Sequence, residues 1–244
     1  MDQGLQRVEL LLGEEAVAKL RQSTVLVAGV GGVGSYAAEA LARTGIGHLI
    51  LIDKDTVAES NLNRQIMAVR DTVGLPKCDV MKQRIESYRY DCQVDCINAF
   101  FDESNADLVK DADFAVDAID TVTSKLAFIE ACHKYNVPFV CSLVMGNRLD
   151  PSRVHLSNLW KTQGDPLARS VRSMARKRGI DYPVPVMISD EVPRAQRTVV
   201  DPEGETRKDR IPPASTIFVP AAAGLLAAST AVRVILGEDI HGKH

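Results

Sequence analysis

A glycine-rich run at positions 29–34 is the first feature of the chain that could do chemistry. It follows an apolar stretch and precedes a segment with helical spacing, and its glycines are Gly29, Gly31, Gly32 and Gly34. Glycine lets phosphate oxygens approach backbone N–H groups where a strand turns into a helix. Asp53 ends the next apolar run, where a carboxylate can accept both ribose hydroxyls. This spacing predicts a nucleotide site.

The polar residues beyond Asp53 distinguish ATP from NAD. They are Asp55, Asn61, Arg64, Gln65 and Lys77. A dinucleotide with two bridged phosphates does not need this density of amide groups and positive charge. A triphosphate attacked at its α-phosphorus does, because negative charge builds on the leaving pyrophosphate. An NAD-dependent oxidoreductase, which the glycines alone would allow, gives no account of Asn61, Arg64 and Lys77 together.

An Asp117-Ala-Ile-Asp120 sequence ends a later predicted strand, at the sheet edge where ligands bind in such folds. A carboxylate beside phosphates is repelled unless a cation bridges the two, so we interpret Asp120 as a magnesium ligand. The combined residues predict ATP that is used for adenylation.

Several strands must end at one edge of a sheet to bring these residues together. Apolar runs predict strands at 24–28, 48–53, 93–99, 114–117 and 138–143, and helical spacing predicts helices at 7–20, 36–43, 76–88, 103–109, 122–136 and 215–236. This alternation predicts an α/β fold, a Rossmann-like doubly wound and mostly parallel sheet. Residues 1–150 would form the ATP-binding adenylation domain. Residues 151–244 would add a substrate-side layer to the same globular unit, with a basic helix, a loop at 201–210 and the returning core helix.

The chain of 244 residues is acidic overall, with a formal net charge of −3 and a pI near 6.0. Nucleic acid therefore cannot be held by net charge, only by a local basic face. Such a face is predicted on the helix of the C-terminal third, from Arg169, Arg172, Arg176, Lys177 and Arg178. Contact with RNA phosphates is one interpretation of this face, and a solvated helix with acidic neighbours is the other.

Three features bear on location. The N-terminal segment lacks the pattern of a signal peptide, and the five cysteines form no even disulfide framework. The apolar segment 217–236 contains Pro220 and Arg233 and is diluted by small and hydroxyl residues, which indicates a buried helix. We expect a cytoplasmic protein without a membrane span.

Taken in order, the motifs GxGGxG, DxDxVxxSNLxRQ, GxxK and DxxD resemble the ubiquitin-activating-enzyme-like (ThiF/MoeB-like) superfamily of carboxylate adenylating enzymes. The resemblance covers about residues 7–143. It implies that Asp53 binds ribose, that Asn61, Arg64 and Lys77 contact phosphates, and that Asp120 holds magnesium. It also implies that Asn98 lies near the adenine, and that the protein is a homodimer in which Arg7 enters the partner's site.

Members of this superfamily that activate carrier proteins usually have a structural zinc in two CxxC pairs and a cysteine that forms a thioester. The chain offers only CxxxC at Cys92 and Cys96 and no cysteine after Cys141, so we expect neither feature. Instead it resembles the tRNA threonylcarbamoyladenosine dehydratase branch, through runs at 38–47, 61–66, 74–81, 117–120 and 163–168.

That resemblance implies ATP-dependent cyclisation of threonylcarbamoyladenosine beside the anticodon, by adenylation of the carboxylate and intramolecular ring closure. Arg64, Lys77, Asp120 and Arg7 would be catalytic, and the partners would be tRNA and a sulfur-relay protein. One alternative is an adenylyltransferase for a sulfur-carrier or ubiquitin-like protein ending in Gly-Gly. A non-catalytic nucleotide-sensing scaffold is another.

Overall fold

A sheet of seven strands organises the residues described by the computed structural model, which are 3–89, 91–197 and 213–239. The strands are β1 (Thr24–Ala28), β2 (His48–Ile52), β3 (Gln93–Ile97), β4 (Phe114–Asp117), β5 (Phe139–Ser142), β6 (Val154–Asn158) and β7 (Pro185–Ser189). They lie in the order β3-β2-β1-β4-β5-β7-β6. Only the pairing of β6 with β7 is antiparallel. The predicted doubly wound, mostly parallel sheet is confirmed.

Helices cover both faces of this sheet. They are α1 (Gln6–Leu12), α2 (Glu14–Arg21), α3 (Gly34–Thr44), α4 (Lys77–Glu86), α5 (Val122–Tyr135), α6 (Pro166–Lys177) and α7 (Phe218–Ile235). Residues of β1 alternate between two cores, because successive side chains of a strand point to opposite faces. Val25 and Val27 pack with α3, α4 and α7, whereas Leu26 and Ala28 pack with α5 and α6. Burial on both faces explains the continuous apolar runs of the sequence.

Three predicted elements differ in the structure. The helix predicted at 7–20 is broken at Gly13, whose φ of +89° ends α1 and begins α2. The helix predicted at 103–109 is a short 3-10 helix, Ala106–Asp111. The proline-rich C-terminal third supplies β6 and β7, which extend the same sheet as the nucleotide-side strands. The loop predicted at 201–210 lies outside the described residues.

Helix α7 is long and apolar enough to cross a membrane, with a mean hydropathy of 1.7. Within the protein, 56% of its residues are buried. Gly224 lets it pack closely on α3. A β-carbon there would collide with the carbonyl oxygen of Val33 and would lie 2.7 Å from Cβ of Tyr36. Packing of α7 as a core helix follows the sequence prediction.

A buried carboxylate joins α3 to α4. Glu39 is 6% exposed, and its oxygens accept hydrogen bonds from Nε of Arg43 (2.7 Å), Nε of Arg84 (2.9 Å) and the hydroxyl of Tyr88 (3.0 Å). Burial alone would raise the pKa of Glu39. The hydrogen bonds from Arg84 and Arg43 outweigh burial and hold that pKa below its ordinary value.

This lowered pKa predicts a pH-dependent contribution to stability. A carboxyl group with a depressed pKa in the folded state stabilises the protein above its unfolded pKa, and the contribution is lost as pH falls through the folded-state pKa. Glu39→Gln should therefore lower the free energy of unfolding by about 1–3 kcal/mol at pH 7. In urea denaturation, the difference in free energy of unfolding between this variant and wild type should shrink as the pH falls below 4.5, the ordinary pKa of a glutamate side chain. The exposed Glu15→Gln is the control, and a difference that grows in acid would contradict the prediction.

Candidate active site

A cavity of about 610 Å³ opens at the carboxyl ends of the strands, where β1 and β4 lie side by side. The chain reverses its direction of winding at this pair, which is where ligands bind in doubly wound sheets. The volume is in the range of small-molecule sites, about 300–1,000 Å³. Ten residues predicted from the sequence line it: Gly29, Gly31, Gly32, Asp53, Asp55, Asn61, Arg64, Gln65, Lys77 and Asp120.

The glycine run is tightly packed on one side and open on the other. Gly29 has a φ of +88°, and a β-carbon there would lie 2.7 Å from the carbonyl oxygen of Ala118. At Gly34, the first residue of α3, a β-carbon would collide with the carbonyl oxygen of Gly29. Around Gly31 the nearest atom would be Nε2 of Gln65 at 3.9 Å, so the backbone faces open cavity.

These two environments predict opposite effects of adding one methyl group. Gly34→Ala should lower the free energy of unfolding by about 1–3 kcal/mol, because backbone must move to admit the side chain. Gly31→Ala should leave the free energy of unfolding nearly unchanged. It should weaken ATP binding at least about tenfold, which corresponds to ~1.4 kcal/mol, because the methyl group occupies the space for phosphate. Urea denaturation and ATP titration measure the two effects. Equal losses of stability in both variants would contradict this assignment.

Asp53 is oriented by the backbone around it. One carboxylate oxygen accepts the N–H of Val30 at 2.7 Å, and the other accepts the N–H of Asp55 at 2.8 Å. Both oxygens keep lone pairs, and the side chain lines the cavity. The two hydrogen bonds fix the orientation of the carboxylate, so its remaining lone pairs can accept the two hydroxyls of a ribose.

Two amide side chains form the wall beside the glycines. Asn61 is 8% exposed, and its oxygen accepts the N–H of Ala58 at 3.0 Å. Gln65 is 6% exposed, and its buried Oε1 has no hydrogen-bond partner within the described part of the chain. A buried polar atom without a partner costs free energy, so Gln65 is prepared for a polar ligand.

Arg64 carries a positive charge that no carboxylate of the described residues neutralises. Its Nη1 donates to the carbonyl oxygen of Ser60 at 2.7 Å and to Oδ1 of Asn63 at 3.0 Å. No carboxylate among the described residues pairs with it. The guanidinium is therefore held by neutral acceptors at the cavity wall, with its charge available to a phosphate.

Lys77 is paired with a carboxylate, which the sequence did not predict. Its Nζ lies 3.0 Å from Oδ2 of Asp55, and its side chain is 7% exposed. Burial would raise the pKa of Asp55, but the hydrogen bond and charge of Lys77 lower it overall. The sequence assigned both residues to the nucleotide directly. In the structure Asp55 balances Lys77, so a phosphate that reaches Lys77 would compete with Asp55.

Asp120 is exposed at the cavity and accepts a hydrogen bond from Oγ1 of Thr121 at 3.3 Å. In the ranges 3–89, 91–197 and 213–239, no three His, Cys, Asp or Glu side chains gather as a metal site. A single carboxylate still fits magnesium, which uses one or two protein carboxylates together with substrate phosphates and water.

Asp117, the first aspartate of the DxxD motif that ends in Asp120, belongs to a buried ion pair that the sequence did not predict. Its Oδ2 lies 2.6 Å from Nζ of Lys125, and both side chains are fully buried. Its Oδ1 accepts the N–H of Ile119 at 2.9 Å, and Lys125 also donates to the carbonyl oxygen of Ser142 at 2.8 Å. The pair joins the ends of β4 and β5 to α5 and holds the turn that leads to Asp120. The one sign of this ion pair in the sequence is a lysine eight residues after Asp117.

Three predicted site residues do not line this cavity: Gly34 at the start of α3, Asn98 and Arg7. Asn98 donates to a carboxylate oxygen of Asp79 at 3.3 Å, and the wall next to it is made by Ala99, Phe100 and Phe101. Arg7 lies exposed on α1 and does not reach the cavity of its own chain. Its entry into a partner's site stays a prediction.

The five cysteines are free thiols. Burial raises the pKa of Cys92 and of Cys96 to about 11, and it raises those of Cys78, Cys132 and Cys141 further. A thiol with a raised pKa is protonated at neutral pH and is a poor nucleophile. Four of them, Cys78, Cys92, Cys132 and Cys141, are buried among the hydrophobic core, and Cys96 is half-buried.

The basic face of α6 is smaller than the sequence predicted. Arg172 donates to the carbonyl oxygen of Leu159 and to Oγ1 of Thr162, and Arg178 pairs with Glu130 at 2.8 Å. Three basic side chains are exposed without an ion pair in the described residues: Arg169, Arg176 and Lys177. Arg176 also lies over the ring of Trp160, 5.6 Å from its centre.

Comparison with known proteins gives consistent results. A profile of the ThiF family matches residues 5–244. The tRNA threonylcarbamoyladenosine dehydratase of Bacillus subtilis is 41% identical over 244 residues, which cover 97% of this chain and 96% of that relative. Its Escherichia coli counterpart is 42% identical over 164 residues, or 66% of this chain and 61% of that relative.

The fold is also that of a solved enzyme. The crystal structure of Escherichia coli tRNA N6-threonylcarbamoyladenosine dehydratase in complex with AMP matches with a TM-score of 0.86 at 33% identity, covering 96% of this chain and 94% of that one. A structure of the same Escherichia coli enzyme with ATP matches with a TM-score of 0.84. By its profile match and its relatives, the chain belongs to the ThiF family.

Proposed function

We propose that the chain is an ATP-dependent tRNA threonylcarbamoyladenosine dehydratase. The observation that carries the proposal is one cavity with an open glycine backbone, in which Arg64 has no carboxylate partner and the Gln65 oxygen no hydrogen-bond partner among residues 3–89, 91–197 and 213–239. It occurs in a chain whose Bacillus subtilis relative, similar over nearly its whole length, has that name. The phosphates of ATP would neutralise the charge of Arg64, and a hydroxyl of its ribose is the kind of donor that the orphaned Gln65 oxygen, an acceptor, requires.

The reaction would proceed in two displacements. A carboxylate oxygen of the threonylcarbamoyl group attacks the α-phosphorus of ATP, forming an acyl-adenylate and releasing pyrophosphate. A neighbouring atom of the same side chain then attacks the acyl carbon, closes the ring and expels AMP with the former carboxylate oxygen. The net change is loss of water at the expense of ATP. Ring closure within one side chain has a high effective molarity and needs no enzyme nucleophile, in agreement with the protonated cysteines.

The protein's part would be positioning and charge stabilisation. Asp53 would hold the ribose, Gln65 and Asn61 would contact phosphate oxygens, and Arg64 would stabilise the charge that develops on pyrophosphate. Lys77 would add to this after exchanging Asp55 for phosphate. Asp120 would hold magnesium, which would neutralise phosphate charge while it is bound.

A homodimer is part of the proposal. None of the residues of α1 is buried, and Leu10 and Leu11 are each 82% exposed. Large apolar side chains exposed together indicate an interaction surface. A second copy that covers α1 would carry Arg7 with it toward the neighbouring site.

A cytoplasmic location would keep the five free thiols reduced. The sulfur-relay partner stays a prediction.

ATP–pyrophosphate exchange tests the proposal most directly. We expect purified protein to exchange label only when tRNA carrying threonylcarbamoyladenosine is present, and liquid chromatography of the digested tRNA should show the dehydrated nucleoside. Unmodified tRNA is the control. Exchange with a Gly-Gly-tailed carrier protein instead of tRNA would favour the alternative adenylyltransferase, and exchange with neither would contradict adenylation.

The reduced basic face makes a prediction about salt. Each phosphate contact to a single strand contributes a slope of about −0.7 in log affinity against log salt. Replacing Arg169, Arg176 and Lys177 by glutamine should reduce the slope for tRNA by about 2 and weaken binding at low salt, without changing ATP affinity. The matched control removes three other cations: Lys19, Lys82 and Lys110. Equal slopes for both triple variants would show that α6 does not bind tRNA.

A further inference from the structure

One short segment closes the side of the cavity that is farthest along the sheet from β3. Pro213 and Ser215 line the cavity there, next to Gly146. This side follows β5, two strands from β1, whereas the ribose and phosphate residues follow β1 and β2. Pro213 thus lies beside strand ends that carry none of the predicted ribose and phosphate residues, and the wall of residues 213–215 leads from there to Ser215, beside Asn63.

Two asparagines hold this wall from opposite sides. Nδ2 of Asn63 donates to the carbonyl oxygen of Ser215 at 2.9 Å. The N–H of Asn147 donates to the carbonyl oxygen of Ala214 at 2.6 Å, and the N–H of Ala214 donates back to Oδ1 of Asn147 at 3.0 Å. Neither asparagine lines the cavity, so each acts on its contents through the residues that it holds.

The turn that carries Asn147 is specialised. Asn147 has a φ of +60°, a conformation that costs energy for most side chains and that asparagine tolerates. The next residue, Arg148, is 4% exposed and braces the turn from within. Its guanidinium donates to the carbonyl oxygens of Val144 and of Glu191. A turn fixed in this way presents Asn147 to Ala214 in one geometry.

Asn63 also connects the wall to the phosphate side. Its Oδ1 accepts from Nη1 of Arg64 at 3.0 Å, while its Nδ2 holds Ser215. One planar amide thus sets the distance between the guanidinium and the segment on the substrate side. In a displacement at phosphorus, attacking and leaving groups must be aligned, and small misplacements lower the rate.

We infer that Asn63 and Asn147 are positioning residues that place the wall 213–215 against the threonylcarbamoyl side chain of the tRNA. The inference rests on the proposed function. It assigns to this wall the fit of the second substrate, and to the two asparagines the alignment of that substrate with the phosphate site.

Asn147 allows a matched set of variants. Asn147→Gly keeps the positive φ and removes the acceptor for Ala214, whereas Asn147→Asp keeps an acceptor oxygen in the same place. Asn136→Gly is the control, because Asn136 has a φ of 54° at the end of α5, away from the cavity. Asn63→Ala removes the second support of the wall.

The expected result separates tRNA from ATP. Asn147→Gly should raise the KM for threonylcarbamoyl-tRNA by about three- to tenfold, the effect of one lost hydrogen bond, with ATP affinity within about twofold of wild type. Asn147→Asp should restore the KM, and Asn136→Gly should leave it unchanged. Asn63→Ala should raise the same KM and also lower kcat, because its amide contacts Arg64. Hydrogen exchange of the peptide containing Ala214 should accelerate in Asn147→Gly and Asn63→Ala alone.

Other outcomes would overturn the inference. A parallel loss of ATP affinity, or a failure of aspartate to restore KM, would make Asn147 a merely structural residue. Faster exchange at Ala214 with an unchanged KM would show that the wall does not touch the substrate. Wild-type protein that leaves threonylcarbamoyl-tRNA unchanged would instead refute the proposed function itself.

Discussion

Arg64→Ala should reduce ATP–pyrophosphate exchange by about 10²–10³-fold and change the free energy of unfolding little. In the described part of the chain the side chain donates to two neutral oxygens, those of Ser60 and Asn63, so its removal leaves no buried charge there. Its catalytic loss should be large because the guanidinium would act where negative charge develops on the leaving pyrophosphate. Exchange with saturating threonylcarbamoyl-tRNA, together with urea denaturation, measures both quantities.

Two further variants sharpen this prediction. Arg64→Lys keeps a positive charge but loses the fork of donors that matches phosphate oxygens, so it should recover only part of the activity. Arg70→Ala removes an exposed arginine six residues further along and should behave as wild type. Full activity of Arg64→Ala would mean that this arginine is a surface charge and that the ordered motif has been overinterpreted.

The nucleotide half of the site could be predicted because its information is local. Gly29 and Asp53 follow directly on an apolar strand, Asp120 comes three residues after one, and parallel strands bring their carboxyl ends to one edge. Once the strands are recognised, the convergence of these residues needs no further knowledge of packing. The predicted and observed ends of these strands differ by at most one or two residues for the same reason.

Pairings between distant segments could not be predicted in this way. Asp55 and Lys77 are 22 positions apart, and Arg178 pairs with Glu130 across 48. A charge pattern does not tell whether a basic side chain ends beside a carboxylate or in solvent. Of the five residues of the predicted basic face, Arg178 pairs with a carboxylate, Arg172 donates to neutral oxygens, and the other three have no ion pair in the described residues. Asn63 was read only as a motif residue, since its partner lies 152 positions away.

The C-terminal third illustrates a second limit. Its prolines and polar residues predicted a substrate-side layer of the same globular unit but no strands, and the structure places β6 and β7 there, in the main sheet. β6 is only partly buried, so it lacks the continuous apolar run that identifies β1 and β2. β7 is largely buried, but its apolar run is only three residues long, between Pro185 and Ser189. Strand prediction from apolar runs fails where one face of a strand remains open.

The ion pair between Asp117 and Lys125 gives the largest expected effect on stability. Removing one partner of a buried pair typically costs about 3–5 kcal/mol, because the other charge remains buried without compensation. Burial raises the pKa of Asp117 and the charge of Lys125 opposes this shift, so Lys125→Met should leave a carboxyl group that binds a proton more readily. Asp117→Asn should lower the free energy of unfolding by a similar ~3–5 kcal/mol, measured by urea denaturation at pH 7.

The double variant Asp117→Leu with Lys125→Met separates stability from function. Replacing both members by apolar groups removes two buried charges, so stability should return close to that of wild type. Exchange activity should not return, because the N–H of Ile119 loses the acceptor that fixes the turn to Asp120. A stable, active double variant would show that the pair is dispensable for the site. A stable variant without activity would show that the ion pair positions Asp120. The role of Asp117, the first aspartate of the DxxD motif, would then be to hold the turn that carries Asp120.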